Sequence, residues 1–202
     1  MENRIYTFWI AGACAIFFIL QFLIPGFTDF LLLDQSKPLE LWRFVTSMFL
    51  HGGLAHIISN LFVLVLFGLT LEKLIGSKRF LMVYFVSGIL ANIIAINFYQ
   101  SSLGASGAIF GIIGALIIIR PTLTVFAFGM PMPMFIAGIL WIILDLIGVF
   151  VPSDVANIAH LTGIAGGIIL GIIFRDWSYK EERKPKIIID ENYVRNWEDN
   201  YL

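Results

Sequence analysis

Four polar residues have the types and spacing that acyl-transfer chemistry needs. Ser106 stands in Gly104-Ala105-Ser106-Gly107, and a serine hydroxyl becomes a useful nucleophile when a base takes its proton. A neutral imidazole near pH 7 is the usual base, and the chain has 3 histidines: His51, His56 and His160. His160 is followed by Gly163, Gly167 and Gly171, which continue its helical face. His56 and Asn60 are spaced i, i+4, so on a helix they share a face one turn apart. Their side-chain N–H groups, with the backbone N–H of Ser106, are donors of the kind that stabilise a developing oxyanion. The combination points to a serine nucleophile, a histidine base and an oxyanion site.

The elements that must carry these residues follow from composition. The 202 residues are 59% hydrophobic and 13% charged, with a mean hydropathy of +0.90. A soluble domain carries about 25% charged residues, so the apolar surplus must face lipid. A net charge of -1 and the lack of a basic patch outside the tail exclude a nucleic-acid partner. The one cysteine, Cys14, lies in an apolar run and reads as a small buried hydrophobe. Six apolar segments at about 6–24, 54–71, 80–98, 105–119, 134–151 and 155–174 are candidates to cross a core of roughly 30 Å. The first exceeds a signal-peptide apolar region and lacks a small-residue cleavage site after it, so it should stay attached. The expected architecture is an all-α polytopic membrane protein. Residues 1–175 form one six-helix membrane domain, and 176–202 a short cytoplasmic tail with an interfacial piece around Ile187–Ile189.

Lys and Arg set the orientation. With the amino terminus inside, 11 of the 13 lie on the inner side, and only Lys37 and Arg43 outside. By the positive-inside rule both termini should be cytoplasmic. The second, fourth and sixth helices then enter from the outer face, and His56, Asn60, Ser106 and His160 fall in their first two turns. That places all four at one depth, roughly 5–12 Å below the outer surface. The fourth segment, ended by Arg120-Pro121, holds only about 15 residues, or roughly 22 Å of helix. Its outer end must be sunk among protein or water. Residues 120–134, with Met-Pro-Met-Pro, should be extended or turning. The apolar first outer loop should lie half-sunk, with Trp42 and Arg43 at headgroup level. Gly163, Gly167 and Gly171 form one small-residue ridge, and Gly107, Gly111 and Ala115 another. Ridges of this kind allow the close backbone approach that would bring Ser106 and His160 together.

These residues resemble the rhomboid family of intramembrane serine proteases, in its minimal six-helix prokaryotic form. The matching pieces are Trp42-Arg43, His51-x4-His56-x3-Asn60, Gly104-x-Ser106-Gly107 and Ala159-His160-x2-Gly163-x3-Gly167, with Glu72 at the inner end of the second helix. The resemblance implies a Ser106–His160 dyad without an acidic third member, and oxyanion binding by His56, Asn60 and backbone amides. His51, Arg43, Gly104, Gly163 and Gly167 would support the site. It also implies substrates that are transmembrane segments of other proteins in the bilayer, cleaved near the outer face, with neither cofactor nor metal. The helices around the fifth loop, Phe150 to Ala156, would act as gate and cap. The chain departs from the pattern at Phe110, where relatives often carry Tyr; its ring can still pack on His160. A small chain without further domains suits a prokaryotic plasma membrane.

Other readings weigh on the same residues. A catalytically inactive relative that binds membrane proteins would lack Ser106 or His160, and this chain keeps both. Asp145, inside the fifth helix, suggests a transporter or an aspartyl protease. It has no Gly-x-Gly-Asp context and no second aspartate facing it, so it reads as a tether to loop or helix-end donors. Asp154 belongs to a loop, and Glu72 reads as a cytoplasmic-end anchor. Without His-Glu-x-x-His or clustered carboxylates, a zinc protease is disfavoured. Oligomeric state and physiological substrate leave no mark in the sequence.

Overall fold

The computed structural model describes residues 5–151, 155–182 and 191–201. Helix α1 (Tyr6–Leu23) leads into a long loop holding α2 (Phe27–Leu31), strand β1 (Leu33–Asp34), α3 (Arg43–Thr46) and a 3-10 turn at Ser47–Phe49. Helices α4 (Leu54–Ile75) and α5 (Ser77–Ala95) are separated by Gly76, whose φ of 79° suits glycine. After β2 (Ser101–Ser102) come α6 (Ser106–Ile119), β3 (Thr124–Ala127), β4 (Met130–Pro133), α7 (Met134–Gly148), α8 (Asn157–Glu182) and α9 (Glu191–Tyr201).

Helices α1, α4, α5 and the Asn157–Asp176 part of α8 are long and apolar enough to cross a membrane. Helices α6 and α7 are shorter apolar helices of 14 and 15 residues. The protein is a helical polytopic membrane protein, and the large apolar side chains on its outside suit lipid. Trp9 and Phe22 on α1 are 69% and 75% exposed. The short fourth crossing is α6, about 21 Å long at 1.5 Å per residue. It can be short because it faces protein, packing most extensively on α8 and then α5, with ten residues from Gly107 to Ile119 buried.

The expected small-residue ridges interlock. A Cβ on Gly163 would overlap the carbonyl oxygen of Gly107, one on Gly167 that of Gly111, and one on Gly114 that of Ile164. Backbone meets backbone along this seam, which only small residues permit. Residues 124–133 form an antiparallel hairpin with Thr124 opposite Pro133, in keeping with the extended stretch expected there. Its turn uses Phe128 and Gly129 at φ 55° and 81°.

Three features differ from expectation. Helix α8 continues past Phe174 through Lys180-Glu181-Glu182, because these good helix formers meet no proline before Pro185. The proposed interfacial piece at Ile187–Ile189 lies outside the described residues, as does Asp154 in the suggested gate. Arg43 is not an exposed side chain reaching toward headgroups: it is 1% exposed, folded into the loop between α1 and α4. Its Nη1 donates to the carbonyls of Asp29 and Leu32, both at 2.7 Å, and its Nε pairs with Glu40 at 2.6 Å. Those loop carbonyls need donors, and a guanidinium fork supplies several at once. Glu72 anchors differently from the flanking lysines too. Its carboxylate accepts from the backbone N–H of Tyr6 (2.8 Å) and Thr7 (2.9 Å) and from the Thr7 hydroxyl (2.7 Å). It thus satisfies donors at the start of α1 that have no partner inside the helix.

Candidate active site

Ser106 is the first residue of α6, and the chain leading to it is pinned to the long loop between α1 and α4. Strands β1 and β2 pair Leu33 with Ser102 and Asp34 with Ser101. The Gly104 N–H then donates to the Ser47 carbonyl at 2.9 Å. Gly104 has a φ of 129°, which L side chains rarely adopt, so glycine is needed before the serine. No side chain caps α6. The first-turn N–H groups, Ser106 among them, lack partners within the helix and form its positive end.

His160 is the fourth residue of α8, whose first turn is held by Tyr99: its hydroxyl accepts the Ile158 N–H at 3.1 Å. His160 Nε2 lies 2.9 Å from Ser106 Oγ, across 54 residues of sequence. Phe110 stacks on the imidazole with ring centroids 4.2 Å apart and planes 14° from parallel. The aromatic packing expected of Phe110 is therefore present without a tyrosine hydroxyl.

The other ring nitrogen finds the residue that local spacing did not reveal. His160 Nδ1 is 3.0 Å from Asp145 Oδ1, in the last turn of α7. Asp145 does not tether loop or helix-end donors; its carboxylate faces His160, and the two are 6% and 8% exposed. An acidic partner thus stands where the resemblance implied none. A signal existed: α7 runs opposite to α8, so its last turn reaches the depth of the first turn of α8.

His56 and Asn60 are on the expected face of α4. Asn60 Nδ2 donates to the His56 carbonyl at 2.8 Å, and the Gly52 N–H donates to His56 Nδ1 at 3.3 Å. With Nδ1 accepting, the neutral ring carries its proton on Nε2. A Cβ placed on Gly104 would be 3.0 Å from His56 Nε2 and 3.8 Å from Ser106 Oγ, so this N–H sits beside the serine. His56, Asn60, Ser106 and His160 line one cavity of about 1340 Å³, shared with Phe110 and Trp141. His51 stays behind it, buried and edge-on to His56, with ring centroids 5.2 Å apart. Gln21 on α1 clasps its backbone, donating to the carbonyl at 3.2 Å and accepting from the N–H at 2.9 Å. Gln21 thus joins the loop to α1 through the backbone of His51, whose two ring nitrogens are buried without a hydrogen-bond partner among the described residues.

Residues 38–177 match the rhomboid domain model. The chain belongs to the rhomboid family. It is 34% identical over 146 residues to "RHOMBOID-like protein 6, mitochondrial" of Arabidopsis thaliana, covering 70% of this chain and 47% of the relative. It is 36% identical over 135 residues to "Rhomboid protease GluP" of Bacillus subtilis, covering 63% and 25%. It is also 39% identical over 80 residues to "Inactive RHOMBOID-like protein 8" of Arabidopsis thaliana, covering 39% and 23%. The chain spans less than half the length of each of these three relatives. The matched region of this rhomboid holds Arg43, His51, His56, Asn60, Ser106, Asp145 and His160, and leaves α1 outside. Relatives include a named protease and one named inactive, so the chemistry rests on this rhomboid's own residues.

Proposed function

We propose that the protein is an intramembrane serine protease, with Ser106 as nucleophile and His160 as general base. The observation that carries this reading is the 2.9 Å contact between Ser106 Oγ and His160 Nε2. It lies within the range for proton transfer between a nucleophile and its base. As Oγ bonds to the substrate carbonyl carbon, its proton passes to Nε2, and the carbonyl oxygen becomes an oxyanion. His56 Nε2–H, the Asn60 amide and the backbone N–H groups at the start of α6 are the donors available to it. Collapse of the intermediate breaks the C–N bond, and Nε2 returns the proton to the leaving amine. Water, deprotonated by the same nitrogen, then hydrolyses the acyl-enzyme.

The substrate on this reading is the transmembrane segment of another protein, hydrolysed in or next to that segment. The site lies in an apolar helical body, and its cavity combines polar groups with Val63, Phe110 and Trp141. The bias of Lys and Arg toward one side supports cytoplasmic termini and a site open to the outer face. Residues 1–175 act as the membrane domain and 176–202 as its tail.

The test is cleavage of a labelled transmembrane substrate by purified protein in detergent and in vesicles. Wild type should cleave, Ser106→Ala and His160→Ala should not, and a fluorophosphonate probe should label Ser106 alone. Cleavage that survives Ser106→Ala would sink the proposal. Folded wild type that neither cleaves nor labels would instead place the chain with inactive, membrane-protein-binding relatives.

A further inference from the structure

The geometry points to Asp145 as the residue that positions His160 for catalysis, so that the site works as a Ser106–His160–Asp145 triad and not as an unassisted pair. This rests on the serine-protease reading above and adds a third member to it. The two imidazole nitrogens face different partners: Nε2 lies 2.9 Å from a hydroxyl and Nδ1 lies 3.0 Å from a carboxylate oxygen. An ionised carboxylate can only accept, so the Nδ1 position must carry the proton. The neutral ring then has its lone pair on Nε2, aimed at Ser106. With no carboxylate, the ring is free to take the other tautomer, whose Nε2–H cannot remove the serine proton.

Asp145 also answers a charge requirement. When the proton moves from Ser106 Oγ to Nε2, the ring becomes an imidazolium in a buried site. A carboxylate on its far edge stabilises that cation, and Nδ1 keeps its own proton throughout. Both side chains are nearly buried, which strengthens the interaction. The ring is held from three sides: Phe110 stacks on one face, Asp145 bonds one edge and Ser106 the other. Asp145 comes from α7 and His160 from α8, so the bond also fixes the relation of these two helices at the site. Its Oδ2 is buried without a hydrogen-bond partner, so Oδ1 toward His160 makes the one hydrogen bond of its side chain among the described residues.

The experiment compares wild type, Ser106→Ala, Asp145→Asn and Asp145→Ala in one detergent, reading kcat, KM, the Ser106 labelling rate and Tm. Asparagine keeps the shape and can still hydrogen-bond Nδ1, but it does not enforce the tautomer. The expected result for Asp145→Asn is a fall in kcat and labelling rate of about 10²–10⁴-fold. KM and Tm should stay near wild type. Formate should partly restore labelling in Asp145→Ala, and chloride at equal concentration should not. An Asp145→Asn enzyme as active as wild type, beside a dead Ser106→Ala, would overturn the role of Asp145 and leave the serine reading intact. Loss of activity that merely follows a lowered Tm, without formate rescue, would reduce Asp145 to a helix tether and equally overturn it. Nitrogen-15 NMR of His160 in the wild-type protein gives a check independent of any variant. A neutral ring protonated on Nδ1 is expected, and one protonated on Nε2 refutes the inference.

Discussion

Replacing Gly167 by alanine would add one methyl group where α6 and α8 run backbone to backbone. The new Cβ would fall on the carbonyl oxygen of Gly111, not on a side chain able to turn away. Carbon contacts settle at about 3.5–4.0 Å, so the helices must part by about 1 Å or more. Overpacking of this kind costs about 1–3 kcal/mol of stability. The effect on activity should be larger than that figure suggests. The same seam sets the 2.9 Å contact between Ser106 and His160, and a displacement of about 1 Å can lower a rate about 100-fold. Two comparisons isolate the cause. At Gly171 the added Cβ would lie 3.0 Å from Ala115 Cα, which asks for a shift of a few tenths of an ångström. At Gly12, on α1, nothing lies within 4 Å. Thermal unfolding in detergent and the rate of fluorophosphonate labelling of Ser106 should rank the damage Gly167→Ala, then Gly171→Ala, then Gly12→Ala. Wild-type unfolding and labelling in Gly167→Ala would refute the claim that this seam positions the pair.

Three further outcomes follow from contacts described above. Asn60→Ala should lower kcat by up to about 10²–10³-fold without abolishing it, since His56 and the α6 amides remain as donors; turnover of the labelled substrate reads this directly. Arg43→Ala leaves two loop carbonyls and Glu40 without their donor and should cost about 2–4 kcal/mol. Arg43→Lys should recover only part, because an ammonium lacks the fork; faster proteolysis or hydrogen exchange of residues 25–50 in both variants is the readout. Glu72→Ala should free the start of α1 and lower stability by about 1–3 kcal/mol, with Glu72→Gln intermediate, as measured by unfolding in detergent.

Much of the site could be read from the residues themselves because polar groups are expensive in an apolar chain. Ser106, His160, His56 and Asn60 stand out for that reason, and positive-inside counting predicts that they share one level. The length of α6 followed from Arg120-Pro121 at one end and the polar, glycine-containing approach at the other. The paired glycine ridges followed from a spacing that repeats every four residues. In each case the signal is local composition or period, which a single sequence contains.

The partner of each residue was decided only by the tertiary structure. Asp145 has no neighbouring motif, and its meaning depends on which way α7 is rotated and how far it stands from α8. Arg43 looked like an interfacial cation because its sequence neighbours are apolar; the carbonyls of Asp29 and Leu32 reach it only through the fold of the loop. Glu72 beside Lys73 reads as a helix-end anchor, but what it anchors is seen only when α1 brings Tyr6 and Thr7 to it across more than sixty residues. Helical period determines which residues share a face. Which faces meet is set by close packing of distant segments, and there a hydroxyl, an imidazole and a carboxylate from three helices come into line.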